Sequence, residues 1–273
     1  MTQRIVTGIV LIAAVAVLLY FGGLVAAAGV LVVTALSLYE EYRALGHGRR
    51  VVTWPTWVAL AISPPMMWSL GGKALIPITA AACMLTLLII IFRDQPDLED
   101  VQASLLPLLA VVLPGLCMES AAFIEQVEVQ RVILLLMVAV PVLGDTMALF
   151  VGCSIGKTKL CPQVSPNKTV AGAVGGFIGS LLASGIIALV VSLTCSPELK
   201  ALMPQWWTYI VVGLVGGAAA QIGDLFASMI KRSCGIKDFS NIFPGHGGMM
   251  DRMDSVFFTT VVVYCVRLMG TGI

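Results

Sequence analysis

The sequence predicts an all-α, polytopic integral membrane protein with about nine transmembrane helices. Three observations lead there. Of the 273 residues, 59% are apolar and 11% charged, with a mean hydropathy of +0.99; soluble domains run at roughly 45–50% apolar and about 25% charged. The apolar residues gather in nine stretches, at about 5–21, 23–39, 55–71, 74–92, 105–124, 132–154, 170–194, 206–230 and 255–272. Most approach the ~20 residues a helix needs to cross a hydrocarbon core of about 30 Å. Nearly all the charge falls in the breaks between them, where helix ends meet water.

The first stretch follows Met-Thr-Gln-Arg4 and precedes Ala26-Ala-Ala28, as in a secretory signal, but its length and the second apolar run behind it indicate a retained span. Gly22-Gly23 predicts a tight hairpin between the first two. Alternation of nine helices puts 12 Lys and Arg residues on the side of Arg4, Arg43, Lys168 and Lys231, against three on the other side, Lys73, Arg131 and Lys200. The positive-inside rule makes the richer side cytoplasmic. Gly172, Gly175, Gly176 and Gly179, then Gly213, Gly216 and Gly217, form small-residue stripes that predict close helix contacts in lipid. The seven cysteines are dispersed without a C-x-x-C pair, as small apolar fillers in a reducing environment. No repeat or soluble domain is evident. Residues 1–140 read as N-terminal transmembrane helices and 141–273 as the helices that carry chemistry, in one integral unit.

The chemistry concentrates between Ser228 and Asp254. These 27 residues hold Lys231, Arg232, Lys237 and Arg252, the carboxylates Asp238, Asp251 and Asp254, His246 and four glycines. Polar groups beside a membrane are costly, so such a density implies a charged ligand. Cations with a Gly-rich turn suit phosphates, and carboxylates among them suit a metal ion sharing those phosphates. Gln221, Asp224, Ser228 and Lys231 recur at helical spacing and form one polar face. Asp251 and Asp254 share a face at the start of the last helix. The glycines of Pro244-Gly-His-Gly-Gly248 would let backbone N–H groups approach an anion at that helix N-terminus. His246 there bonds a phosphate or caps the turn.

Three further features need weighing. Glu119, Asp145 and Asp224 lie in apolar stretches. Asp145 and Asp224 share the depth of the basic cluster, whereas Glu119 reads equally as a neutral, hydrogen-bonded acid. Lys157 and Lys159 read as topology determinants or contacts to anionic lipid. Lys168, in Ser165-Pro-Asn-Lys-Thr169 immediately before a helix, is better placed as a dedicated phosphate contact. Gly156-Lys157-Thr158 lacks the glycine pattern and strand of a P-loop.

With these residues assembled, the chain resembles the bacterial phosphatidate cytidylyltransferase (CDP-diacylglycerol synthase) family. Its signature, Ser-x-x-Lys-Arg, Lys-Asp and Pro-Gly-His-Gly-Gly-x-x-Asp-Arg-x-Asp, is matched by Ser228, Lys231, Arg232, Lys237, Asp238, Pro244 to Gly248, Asp251, Arg252 and Asp254. Gln221-Ile-Gly-Asp224, Gly144-Asp145-Thr146 and Ser165 to Thr169 match further motifs. The resemblance is motif-grade over about 141–255. Asn167 stands where a lysine is usual, and Ala171 where a glutamate is.

The resemblance implies transfer of CMP from CTP to phosphatidic acid, in the bacterial inner membrane, with the active site facing the cytoplasm. It implies catalytic roles for Asp224, Asp251, Asp145, Lys231 and Arg252. Mg2+ would be held by Asp224 and Asp251 with Asp145 as a third ligand, beside a second cation such as K+. Substrate would be bound by Ser165, Lys168, Ser228, Arg232, Lys237, Asp238, His246, Gly247, Gly248 and Asp254. The expected partners are CTP, phosphatidic acid and membrane lipids, with no nucleic acid; a homodimer is left open. The competing readings are a CTP-dependent cytidylyltransferase or kinase acting on another membrane lipid, and an ion-coupled transporter. The absence of an inverted repeat and the gathering of charge at one edge weigh against transport.

Overall fold

A computed structural model describes residues 2–95, 97–243, 245 and 247–271, with side chains from residue 7 to residue 269. It is built almost wholly of helix, and each of the nine apolar stretches is helical. In chain order these are α1 (Thr2–Phe21), α2 (Gly23–Leu45), α3 (Trp54–Leu70), α4 (Leu75–Ile91), α5 (Leu98–Pro107), α6 (Leu113–Ala122), α7 (Val127–Ile155), α8 (Val170–Thr194), α9 (Pro197–Leu202), α10 (Trp206–Val211), α11 (Gly217–Ser233) and α12 (Met250–Thr271). Among the described residues, six helices are long and apolar enough to cross a membrane. One of them joins α3 and α4 through a 3₁₀ turn over 38 residues, and Thr7–Phe21 is a shorter apolar helix. The tight join expected at Gly22-Gly23 is present: both have positive φ, 60° and 48°, which glycine adopts without a Cβ penalty.

The chain forms two compact units, and both are discontinuous in sequence. The first comprises 1–127 with 233–253, the second 128–232 with 254–273. In the first, α2 packs on α6 and α5, and Leu38, Leu108, Val111 and Leu116 are fully buried. Pro107 lacks the N–H that would continue α5, and a π-type turn over Leu108–Val112 absorbs the interruption before α6. Polar groups tie α2 to its neighbours: the Tyr42 hydroxyl lies 2.8 Å from Thr56 Oγ1 and donates to the Ser104 carbonyl at 3.2 Å. The Arg50 N–H donates to Asp100 Oδ1 at 3.0 Å, fixing the α2–α3 connection against α5.

In the second unit the glycine stripe of α8 does what its spacing predicts. A Cβ on Gly175 would stand 2.6 Å from Val151 Cβ, and one on Gly179 would stand 2.6 Å from the Leu143 carbonyl oxygen. A Cβ on Gly217 would stand 2.6 Å from Ser180 Cβ. Only hydrogen at these positions lets α7, α8 and α11 approach so closely. Ser180 Oγ donates to the Val140 carbonyl at 3.1 Å, and Thr259 Oγ1 donates to the Gly216 carbonyl at 3.2 Å. One local element departs from the all-helical expectation. Residues 155–169, expected as loop, contain an antiparallel hairpin of β1 (Lys159–Cys161) and β2 (Ser165–Thr169). Its tight turn is closed by Val164 N–H on the Cys161 carbonyl. Thr169 then caps α8, its Oγ1 accepting from Gly172 N at 3.0 Å.

Candidate functional site

The predicted residues fall into two sets, one in each unit. In the second unit α11 carries Gln221, Asp224, Ser228 and Lys231 along one face, as the spacing requires. Gln221 anchors that face to α8 by donating from Nε2 to the Ala173 carbonyl at 3.0 Å. Close packing is obligatory here, since a Cβ on Gly176 would come within 2.9 Å of the same amide nitrogen.

Asp224 stands at the centre of the set. Its Oδ2 is 2.5 Å from Lys168 Nζ, and its Oδ1 is 3.5 Å from the Ser228 hydroxyl, which donates to it. Both members of the ion pair keep about a quarter of their side-chain surface exposed, 24% and 29%, so solvent or a ligand can still reach them. Strand β2 delivers Lys168, and the cap at Thr169 fixes where that strand ends. Asp145 on α7 and Asp254 on α12 lie within electrostatic reach of Asp224 and of each other. Three carboxylates therefore repel one another, and the charge of Lys168 near Asp145 and of Lys231 near Asp254 compensates in part. Asp254 is buried and accepts from Ser255 N–H at 2.7 Å. The Ser255 hydroxyl faces Asp145, yet has no hydrogen bond of good geometry among the described residues. Ser165 begins β2, half-buried, and Arg232, Lys157 and Lys159 are exposed.

The first unit holds Lys237, Asp238, Gly247, Gly248, Asp251 and Arg252. Asp251 is occupied by the backbone: its Oδ2 accepts from Phe239 N and from Gly248 N, each at 2.9 Å. Phe243 N–H bonds the Gly247 carbonyl at 2.9 Å and closes the glycine turn. Gly247 has φ +80°, and a Cβ there would also press to 2.8 Å on Asp251 Oδ2. His246 and Pro244 lie outside the described residues. Lys237, Asp238 and Arg252 are exposed. Asp238 lines a cavity of about 350 Å³ with Arg43, His47, Ser240 and Asn241. Glu119 sits in α6, fully buried, with Oε2 accepting from Ser63 Oγ at 2.6 Å. Of the two departures from the resemblance, Asn167 is exposed and Ala171 half-buried at the start of α8.

The sequence reading passed over Glu40. It is 1% exposed near the end of α2, and its Oε1 accepts from Ser240 Oγ at 2.5 Å and Met249 N at 3.0 Å. Its Oε2 accepts from Met250 N at 2.8 Å. The available signal was the pair Glu40-Glu41 in the last two turns of an apolar helix, because charges in such a helix are kept only for a partner or a function.

Among the described residues no three His, Cys, Asp or Glu side chains converge to hold a metal ion by themselves. Mg2+ does not require such a cage, since it usually takes one or two carboxylates and completes its shell with water and substrate phosphates. Asp224 and Asp145, hard oxygen donors within electrostatic reach of each other and only partly compensated by Lys168, suit such an ion.

A family model described as the cytidylyltransferase family matches residues 2–269. A phosphatidate cytidylyltransferase of Bacillus subtilis is 41% identical over 121 residues, 44% of this chain and 41% of the relative. One of Thermotoga maritima is 33% identical over 129 residues, 47% of this chain and 46% of the relative. One of Rickettsia conorii is 31% identical over 147 residues, 54% of this chain and 62% of the relative. The chain thus spans about half the length of the curated relatives it matches.

Proposed function

This chain belongs to the cytidylyltransferase family, and from that premise we propose that it transfers CMP from CTP to phosphatidic acid, yielding CDP-diacylglycerol and pyrophosphate. The observation that carries the reading is the ion pair on the polar face of α11, Lys168 Nζ 2.5 Å from Asp224 Oδ2 beside Ser228, with the acids Asp145 and Asp254 close enough to repel Asp224. A structural core gains nothing from such repulsion, whereas a site for polyanions and their counter-ion needs acids and cations side by side.

The nucleophile is an oxygen of the lipid's own phosphate, already anionic, so no side chain has to be activated. That oxygen forms a bond to the α-phosphorus of CTP. The bond from the α-phosphorus to the oxygen bridging to the β-phosphorus breaks, and pyrophosphate departs with the electron pair. The protein's task is to bring two polyanions together and to stabilise charge on the leaving group. In the second unit Lys168, Lys231 and Arg232 supply positive charge and Ser228 orients Asp224; in the first, Lys237 and Arg252 supply it. Mg2+, held by Asp224 with Asp145 as a further ligand, would neutralise phosphate charge and align the reacting groups. Release of Lys168 from Asp224 frees one cation for phosphate and one carboxylate for the ion.

The finer topology belongs to the same proposal. Nine helices span the bacterial inner membrane, and residues 155–169 and 231–254 face the cytoplasm. The 12-to-3 distribution of Lys and Arg supports that orientation. CTP then arrives from the cytoplasm and the lipid enters sideways between helices.

The experiment is transfer of label from CTP to phosphatidic acid by the purified chain, with and without Mg2+. Labelled CDP-diacylglycerol that depends on Mg2+ is expected. No lipid-linked label, or label on a different lipid in preference, would reject the proposal.

A further inference from the structure

Three consecutive backbone N–H groups lead into α12, those of Gly248, Met249 and Met250. Such a run at a helix N-terminus is an anion-binding geometry, since these donors have no partner within the helix and the helix dipole favours negative charge. Here the anions are the protein's own. Asp251 takes the Gly248 N–H, and Glu40 takes the N–H groups of Met249 and Met250. Glu40 comes from α2, more than 200 residues away in sequence, and is 1% exposed. It also accepts from the Ser240 hydroxyl, so one carboxylate holds both ends of the segment 240–250. The fit leaves no spare room: a Cβ on Gly248 would stand 2.6 Å from Glu40 Oε1.

We infer that Glu40 is a positioning residue of the site. Its carboxylate fills the helix N-terminus from within and fixes the segment that presents Asp251 and Arg252. Substrate phosphate is then met by side-chain cations, and the backbone donors of Gly248, Met249 and Met250 serve to hold the turn. The inference rests on the proposed function for its kinetic consequence, and on the hydrogen bonds alone for its structural one.

The test uses the full chain in detergent, with Glu40→Gln, Ser240→Ala and, as control, Glu119→Gln. Glu40→Gln puts an NH2 group against a backbone donor. Peptides covering 240–253 should then exchange amide hydrogen about tenfold faster or more, with peptides from α8 unchanged. With CTP and phosphatidic acid, kcat should fall about tenfold or more while each KM changes less than about threefold, because the bound groups remain and their placement is lost. Ser240→Ala keeps both backbone bonds and folds even if Glu40→Gln does not; it should accelerate exchange over 240–253 about two- to fivefold. Glu119→Gln should leave both readouts at the wild-type level. Unchanged exchange over 240–253 in Glu40→Gln and Ser240→Ala would overturn the inference. So would a kinetic loss confined to KM, or an equal loss in Glu119→Gln. A wild-type chain that transfers no CMP would end the proposed function, and hydrogen exchange would still decide the role of Glu40.

Discussion

The acids of the first unit and those of the second are the same residue types used for opposite purposes. Glu40 and Asp251 are spent on backbone: between them they accept from Phe239, Gly248, Met249 and Met250 N–H groups and from the Ser240 hydroxyl. Asp145, Asp224 and Asp254 instead lie within electrostatic reach of one another and of two lysines, and among the described residues only Asp254 of the three takes a backbone donor. A carboxylate saturated by N–H groups is a structural clamp whose charge is already compensated. A cluster left in mutual repulsion is poised to gain from a cation. Partner type, more than burial, separates the two roles.

The sharpest way to break this contrast is Asp224→Asn. It should lower CMP transfer by about 10²–10³-fold, the loss typical when a main electrostatic contact of a transition state is removed. Thermal unfolding should move little, because the change also relieves repulsion with Asp145 and Asp254. Near-normal turnover would remove Asp224 from the chemistry.

Asp251→Asn tests the other side. It replaces an acceptor of two N–H groups and should cost roughly 10- to 100-fold in kcat, with faster hydrogen exchange at 239 and 248. A Mg2+ titration separates its two roles: activity restored by excess Mg2+ marks a ligand, and activity insensitive to Mg2+ marks a clamp. Next in size is Lys168→Ala, which removes a charge-assisted bond of about 1.5–3 kcal/mol and should cost about ten- to a hundredfold. The exposed Lys157→Ala and Lys159→Ala should stay within about twofold. Equal losses at all three would describe a diffuse basic surface.

Gly248→Ala is the most direct test of the packing. Its new methyl meets the Glu40 carboxylate, so the chain should lose about 1–3 kcal/mol of stability, read as a lower unfolding midpoint. An unchanged midpoint would mean that the loop relaxes freely and that the clamp is slack.

Much of this protein is written in its sequence by itself. Hydropathy marks the helical stretches because a bilayer admits long apolar segments only as helix or closed barrel, with every backbone group satisfied internally. The α8 glycines announce close packing for the same kind of reason: in lipid, backbones meet where side chains are smallest. The polar face of α11 follows from a period of 3.6, and the signature around Ser228 to Asp254 identifies the family through residue types at set spacing. Tertiary structure alone decided the partners. No spacing rule connects Glu40 to Met249 and Met250, because a pair so distant is made by chain topology and not by local period. Likewise the return of 233–253 to the first unit, and the pairing of Lys168 with Asp224 from a hairpin read as loop, depend on how helices pack. Local periodicity tells which face a side chain lies on; what meets that face is set by the fold as a whole.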